Sequence, residues 1–251
     1  MFTADQLSDD KFLCGKLRLL QPVKGYRAAT DPVLLAASCP ALPGQHVLDL
    51  GCGAGAAILC LASRVAGLHL AGVEVQADYA DLARQNALRN AIELEVHEGD
   101  ITRMPKPLRR EFDHVIANPP YYGQGTASPI SGRAKAMQVD VPLSGWVDAA
   151  ARRLAPGGWL TLICGADGLP EVLSGMGTKM GSITVLPLQP RVGRPAVRVI
   201  VLARKGGRAA FRLLAPLIIH DGVEHNGDRE NYTAEANEVL RNGADLMARF
   251  R

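Results

Sequence analysis

Between His46 and Lys205, short β-branched apolar runs alternate with stretches of helical period. That alternation predicts an α/β fold in which a largely parallel sheet is linked by crossover helices. The strand candidates are HVLDL (46–50), HLAGVEV (69–75), ELEVHEG (93–99), FDHVIA (112–117), WLTLIC (159–164), SITVLPL (182–188) and AVRVIVLARK (196–205). Helices are expected over about 54–65 and 77–90, the second burying Tyr79, Leu82, Ala83 and Asn86 on one face by their 3.6-residue spacing. Gly157-Gly158 marks the approach to the fifth strand, where a left-handed residue is expected. Outside this core, 11–24 predict a hairpin lid turning at Cys14-Gly15, and Thr30 or Asp31 with Pro32 starts a helix over 32–38. FRLLAPLII (211–219) predicts a further strand, followed by a polar loop and an amphipathic C-terminal helix.

Length and composition narrow the picture. The 251 residues suit one large domain: a hairpin and helix (1–40), a core (41–205) and a C-terminal extension (206–251). A 47% hydrophobic and 21% charged composition excludes a disordered chain. The five cysteines form no C-x-x-C pair, so a reduced intracellular protein without a metal site is expected. No apolar stretch approaches the roughly 20 residues of a membrane helix, and the start of the chain has no apolar signal core, so a cytoplasmic location follows.

Candidate chemistry concentrates at strand ends. Asp49 precedes Gly51, Gly53 and Gly55 in a G-x-G-x-G loop between a strand and a helix. Glycine permits a tight turn and close ligand approach. This spacing differs from the G-x-G-x-x-G of pyrophosphate binders, and an acid beside the loop suits an ammonium or sulfonium ligand. Glu74 ends the second strand, where a carboxylate offers two acceptors to ribose hydroxyls. Asp100 closes the third, either accepting an adenine amine or capping the turn at Thr102. The fourth strand runs into Asn118-Pro119-Pro120-Tyr121-Tyr122. Two prolines fix the backbone and leave carbonyls free to accept. The Asn118 side-chain oxygen and the Pro119 carbonyl would each take an N–H from a planar amino group, localising its lone pair for attack. Tyr121 would stack on the base.

Together these residues resemble class I methyltransferases that modify planar amino or amide nitrogens, a group with a doubly wound, Rossmann-like, seven-stranded sheet whose last strand is antiparallel. The resemblance implies S-adenosyl-L-methionine as cofactor, held by Tyr26, Asp49, Gly51, Gly53, Gly55, Glu74, Asp100 and Asn118. The segment Gln21 to Ala36, and Gly123-Gln124-Gly125 followed by Arg133, are similar to bacterial tRNA1(Val) adenine-N6 methyltransferases. That similarity implies an RNA substrate, a tRNA methylated near the anticodon, touched by Arg27, Tyr121, Tyr122, Arg133 and Lys135, with Tyr26, Arg27 and Asp31 lining the entrance. After Arg133 the chain departs from that pattern, reading Ala-Lys-Ala-Met-Gln.

The formal charge of +3 proves no partner, but its distribution is lopsided. From Val172 through His220 there is no acid, against Lys179, Arg191, Arg194, Arg198, Arg204, Lys205, Arg208 and Arg212, while Arg103, Lys106, Arg109 and Arg110 form a second cluster. Phosphate attraction is the functional reading and a solvated face the structural one. The Gly/Ser-rich stretch 123–140 is suited to ordering over a flipped base. Competing expectations are a ribosomal RNA guanine-N2 methyltransferase, a protein glutamine-N5 methyltransferase and a non-catalytic RNA-binding module on a relic cofactor fold. Only about forty residues precede the first core strand, which disfavours the glutamine enzymes with their separate N-terminal domain.

Overall fold

The structure is a computed structural model that describes residues 2–120, 141–222 and 231–251. Its centre is a sheet in which β3 (His46–Leu50), β4 (His69–Glu74), β5 (Glu95–Glu98), β6 (Phe112–Ala117) and β7 (Leu154–Gly165) run parallel. β9 (Arg198–Lys205) is antiparallel between β7 and β8 (Met180–Gln189), giving the core order β8-β9-β7-β6-β3-β4-β5. This is the seven-stranded, doubly wound arrangement expected from the sequence.

Adjacent strand residues point to opposite faces, and both faces are buried. Ile116, Ile163, Leu186 and Ile200 join one cluster with α1 (Asp31–Ala37) and α2 (Ala56–Arg64). Their chain neighbours Val115, Leu162, Val185 and Val201 join a second, with α4 (Leu143–Arg153) and α5 (Leu169–Met176). The near-continuous apolar strands of the sequence are the consequence of this two-sided covering. Burying them supplies on the order of 25 cal/mol for each Å² of apolar surface removed from water.

The expected hairpin is present, its first strand starting at Leu7, and two other expectations are corrected in detail. The hairpin, β1 (Leu7–Phe12) with β2 (Leu17–Pro22), is pinned to α3 (Ala77–Arg89) by a fixed set of bonds. The buried Asn86 carboxamide accepts from Leu20 N at 2.7 Å and donates to Leu20 O and Ala54 O at 3.0 and 2.9 Å. One helical turn on, Asn90 bonds both backbone groups of Arg18. The 211–219 strand is split into β10 (Arg212–Leu213) and β11 (Leu217–Ile218), both parallel to β8. Pro216, which has no N–H, sits between them, and the pieces bring the sheet to nine strands. The C-terminal helix is broken: α6 (Ala234–Asn237) continues as a π-turn over Glu238–Asn242, Gly243 turns left-handed at φ +74°, and α7 (Met247–Phe250) follows. Among the described residues no helix is long and apolar enough to cross a membrane, and all five cysteines are free.

Candidate active site

Strand register aligns the chemistry. Leu50 pairs with Val73 on one side and Ala117 on the other, so Gly51, Glu74 and Asn118 leave the sheet side by side. Glu74 pairs with Glu98, and its carbonyl accepts from Gly99 N at 2.9 Å, which brings Asp100 into the same row. Strand order reverses between the parallel neighbours β3 and β6, the place where open α/β sheets leave a crevice.

The loop after β3 is a tight turn. Cys52 N donates to Val73 O at 3.0 Å, and Gly55 N donates to Cys52 O at 2.8 Å before α2 begins. Gly51 (φ +63°) has no room for a side chain, since a Cβ there would lie 2.6 Å from the Trp146 ring. Gly53 (φ +54°) is the opposite case: a Cβ there would meet nothing within 4 Å. The turn therefore leaves an open cradle above Gly53.

Two buried acids face this cradle from below. Glu74 Oε2 accepts from Gly53 N at 2.9 Å and Oε1 from Gln76 N at 2.9 Å, so the carboxylate ties the glycine loop to the end of β4. Burial raises its pKa, and these amide bonds oppose the rise. Asp49, 2% exposed, is raised further above the usual carboxylate range, first by burial and then by the Glu74 charge, against one backbone bond from Ile58. Its Oδ2 is buried with no hydrogen-bond partner among the described residues. An orphaned acceptor beside a second acid is costly unless a cationic group arrives. The donor set fits S-adenosylmethionine, which carries an ammonium and a sulfonium, with carboxylate lone pairs left over for ribose hydroxyls. Asp100 uses one oxygen to cap its own turn, accepting from Thr102 N at 2.7 Å. The capping alternative is therefore realised, and the second oxygen points elsewhere by the geometry of a carboxylate.

Asn118 follows β6, half-buried, with Pro119 buried and Pro120 exposed after it. Its Nδ2 donates to the Tyr26 hydroxyl at 3.2 Å. Tyr26 is fixed in turn by Tyr79 at the start of α3. The Tyr79 hydroxyl accepts from Tyr26 N at 3.1 Å and donates to Tyr26 O at 3.2 Å. Desolvation of the Tyr26 phenol, together with the Asp31 and Asp49 charges, pushes its pKa up to about 12. Tyr79 and Trp146 carry no mark of the site in the sequence. Tyr79 reads as one more apolar position of a helix face, and nothing local to Trp146 betrays that it floors the glycine turn.

Tyr121, Tyr122, Arg133 and Lys135, and the stretch 123–140 to which the last two belong, fall outside the described residues. Arg27 is drawn into the hairpin, bonding Asp10 at 2.6 Å, Ser8 at 2.9 Å and Pro22 O at 3.3 Å. Asp31 forms an ion pair with Arg198 at 2.7 Å. The basic run is not one patch. Because β9 runs against β8, Arg191, Arg194 and Arg198 lie at the end of the sheet that carries Asn118, whereas Lys179, Arg204 and Lys205 lie at the far end. Several members are internal struts: Arg204 bonds Gly157 O, Lys205 bonds Leu154 O, Lys179 pairs with Asp148, and Arg212 bonds Phe250 O and Arg251 O. Among the described residues there is no group of three potential metal ligands.

The methyltransferase small domain family matches residues 30–186. A tRNA1(Val) (adenine(37)-N6)-methyltransferase of Shewanella baltica is 32% identical over 190 residues, which cover 72% of this chain and 79% of that protein. A protein of the same description from Klebsiella pneumoniae is 35% identical over 113 residues, 44% of this chain and 46% of the relative, so that alignment spans about half of the relative's length. A solved structure described as a predicted O-methyltransferase from Agrobacterium tumefaciens superposes with a TM-score of 0.68 at 28% identity, over 86% of this chain and 98% of the other. With the match to that family spanning both the glycine loop and the Asn-Pro-Pro turn, the chain belongs to the methyltransferase small domain family.

Proposed function

We propose that this protein transfers a methyl group from S-adenosyl-L-methionine to the exocyclic N6 of an adenine in a tRNA near the anticodon. The observation that carries the reading is the alignment, by strand register, of Gly51, Glu74, Gly99-Asp100 and Asn118 in one row. The first three form a nucleoside-binding edge with a cation-seeking carboxylate at Asp49. The last sets an amide acceptor one strand away.

The bound cofactor supplies an electrophilic methyl on sulfur. The chain's part is to hold and polarise the amine. Asn118 Oδ1 and the Pro119 carbonyl accept its two N–H bonds, which turns the nitrogen lone pair out of conjugation with the ring and toward the methyl. Held by Asp49, Gly51, Gly53 and Glu74, the cofactor would give its methyl to that nitrogen, and the carbon–sulfur electron pair would leave with sulfur. The proton lost from nitrogen afterwards is acidic, so no strong base is required. Tyr121 stacks on the flipped base, and Tyr122, Arg133 and Lys135 contact the RNA. The nitrogen-directed motif and the names of the relatives support adenine N6 over oxygen as the acceptor. A cytoplasmic location suits a tRNA substrate.

The reading is tested by Asn118→Ala. Cofactor affinity, measured by calorimetry, is expected to stay near wild type, while methyl transfer to unmodified tRNA falls on the order of a hundredfold. Equal loss of both would remove Asn118 from the reacting edge.

A further inference from the structure

We propose that Tyr26 is a positioning residue for methyl transfer: its hydroxyl takes the Asn118 Nδ2–H and so keeps the carboxamide oxygen turned toward the substrate amine. The inference rests on the reading of Asn118 as acceptor and assigns Tyr26 a duty distinct from holding the cofactor.

A carboxamide is nearly symmetric in shape but opposite in chemistry at its two ends. Oδ1 accepts an N–H, whereas Nδ2 presents two N–H groups that would repel the amine it is meant to polarise. An unrestrained Asn would sample both orientations. A phenol hydroxyl can donate or accept, and here it accepts from Nδ2 at 3.2 Å, which is the selection the structure shows. For that selection to work, the hydroxyl must itself be fixed, and the structure fixes it through its backbone. Tyr79 Oη takes the Tyr26 N–H at 3.1 Å and gives its own proton to Tyr26 O at 3.2 Å.

Two further contacts are explained by this clamp. Gly25 (φ +117°) precedes Tyr26, and a Cβ there would lie 3.1 Å from Tyr79 Oη, so any other residue would crowd the clamping hydroxyl. The Tyr79 ring is met edge-on by Phe2, with centroids 5.5 Å apart and planes at 85°. Tyr79 also stands five residues past Glu74, so the clamp ties the amide orientation to the end of β4. A phenol held far from ionisation offers the same acceptor across the working pH range.

The experiment compares wild type, Tyr26→Phe and Tyr79→Phe in saturating S-adenosylmethionine with tRNA, alongside cofactor affinity and thermal melts that confirm folding. Losing one neutral hydrogen bond predicts a fall in kcat of about tenfold for Tyr26→Phe, with KM for RNA and Kd for the cofactor within about twofold. Tyr79→Phe should lower kcat less, in the same direction. A substrate-independent readout is the side-chain amide of Asn118 by NMR, identified by its disappearance in Asn118→Ala. Its hydrogen exchange should be slowed in wild type and fast in Tyr26→Phe. An unchanged kcat, or a loss lying wholly in cofactor Kd, overturns the proposal, as does unaltered Asn118 exchange. If wild type transfers no methyl to tRNA, the substrate reading fails, and the NMR comparison still decides whether Tyr26 orients the amide.

Discussion

At the scale of single residues, the molecule retains groups that cost it stability in the absence of a ligand. Asp49 is the clearest case. A carboxylate whose folded pKa lies above its unfolded value prefers to be protonated in the folded state. The stability of its protonated form is therefore fully present below the ordinary carboxylate pKa and is lost as pH rises through the raised folded value. At neutral pH the ionised form is penalised until a cation arrives. Asp49→Asn keeps the shape and removes the charge. It should raise the melting temperature of the ligand-free protein at pH 7, shrink the gain between pH 7 and acid conditions, and weaken cofactor binding. Thermal melts with and without S-adenosylmethionine check both arms. A variant that melts lower than wild type while binding the cofactor normally would contradict the assignment.

Residues of this kind were partly legible in the sequence. Gly51, Gly53, Gly55, Glu74 and Asn118 announce themselves because each sits where an apolar run ends, and strand ends are where a parallel sheet collects its chemistry. The different reasons for each glycine were not legible. Gly51 yields to Trp146, more than ninety positions away in sequence, and Gly53 yields to open space. Arg27 shows what the sequence hides. It stands in a motif that reads as substrate-facing, and in the structure Asp10 and Ser8 of β1 bond its guanidinium. Where the segment after β2 folds back on β1 sets these partners, which one-dimensional spacing does not display.

Among the elements, the strands agree best with the hydrophobic pattern: two-faced burial makes a central strand apolar at most positions, and such runs are hard to mistake. Elements at the edge are less faithful. The 211–219 run is apolar enough for one strand, but Pro216 splits it. The C-terminal helix is interrupted where Gly243 turns left-handed and Asp245 caps a new turn by accepting from Met247 N at 2.8 Å. The hairpin's attachment lies on the link from packing to function. Asn86 and Asn90, one turn apart on α3, replace strand partners for the exposed edge of β2. Asn86 also holds Ala54 O in the glycine loop. Asn86→Ala leaves buried backbone groups of Leu20 and Ala54 unpaired, and should cost roughly 3 kcal/mol in chemical denaturation. Hydrogen exchange should show the hairpin released before the sheet. An unchanged denaturation midpoint would mean that the hairpin is held by apolar contacts alone.

The whole molecule arranges its charge differently from the impression left by the sequence. A single antiparallel strand divides an acid-free basic run between the two ends of the sheet, and internal bonds occupy several of its members. Among the described residues of that run, the set at the Asn118 end of the sheet is Arg191, Arg194 and Arg198, of which Arg198 pairs with Asp31 and Arg191 bonds Asp221 O. On the reading proposed above, the described part of that run offers RNA no single broad cationic face. That places the burden of the account on the chemistry of one acceptor atom. The most direct test is transfer of labelled methyl from S-adenosylmethionine to unmodified tRNA, followed by nucleoside analysis. N6-methyladenosine confined to one tRNA position is the predicted result. Label appearing only in N2-methylguanosine, in protein glutamine or on an oxygen acceptor would contradict the account.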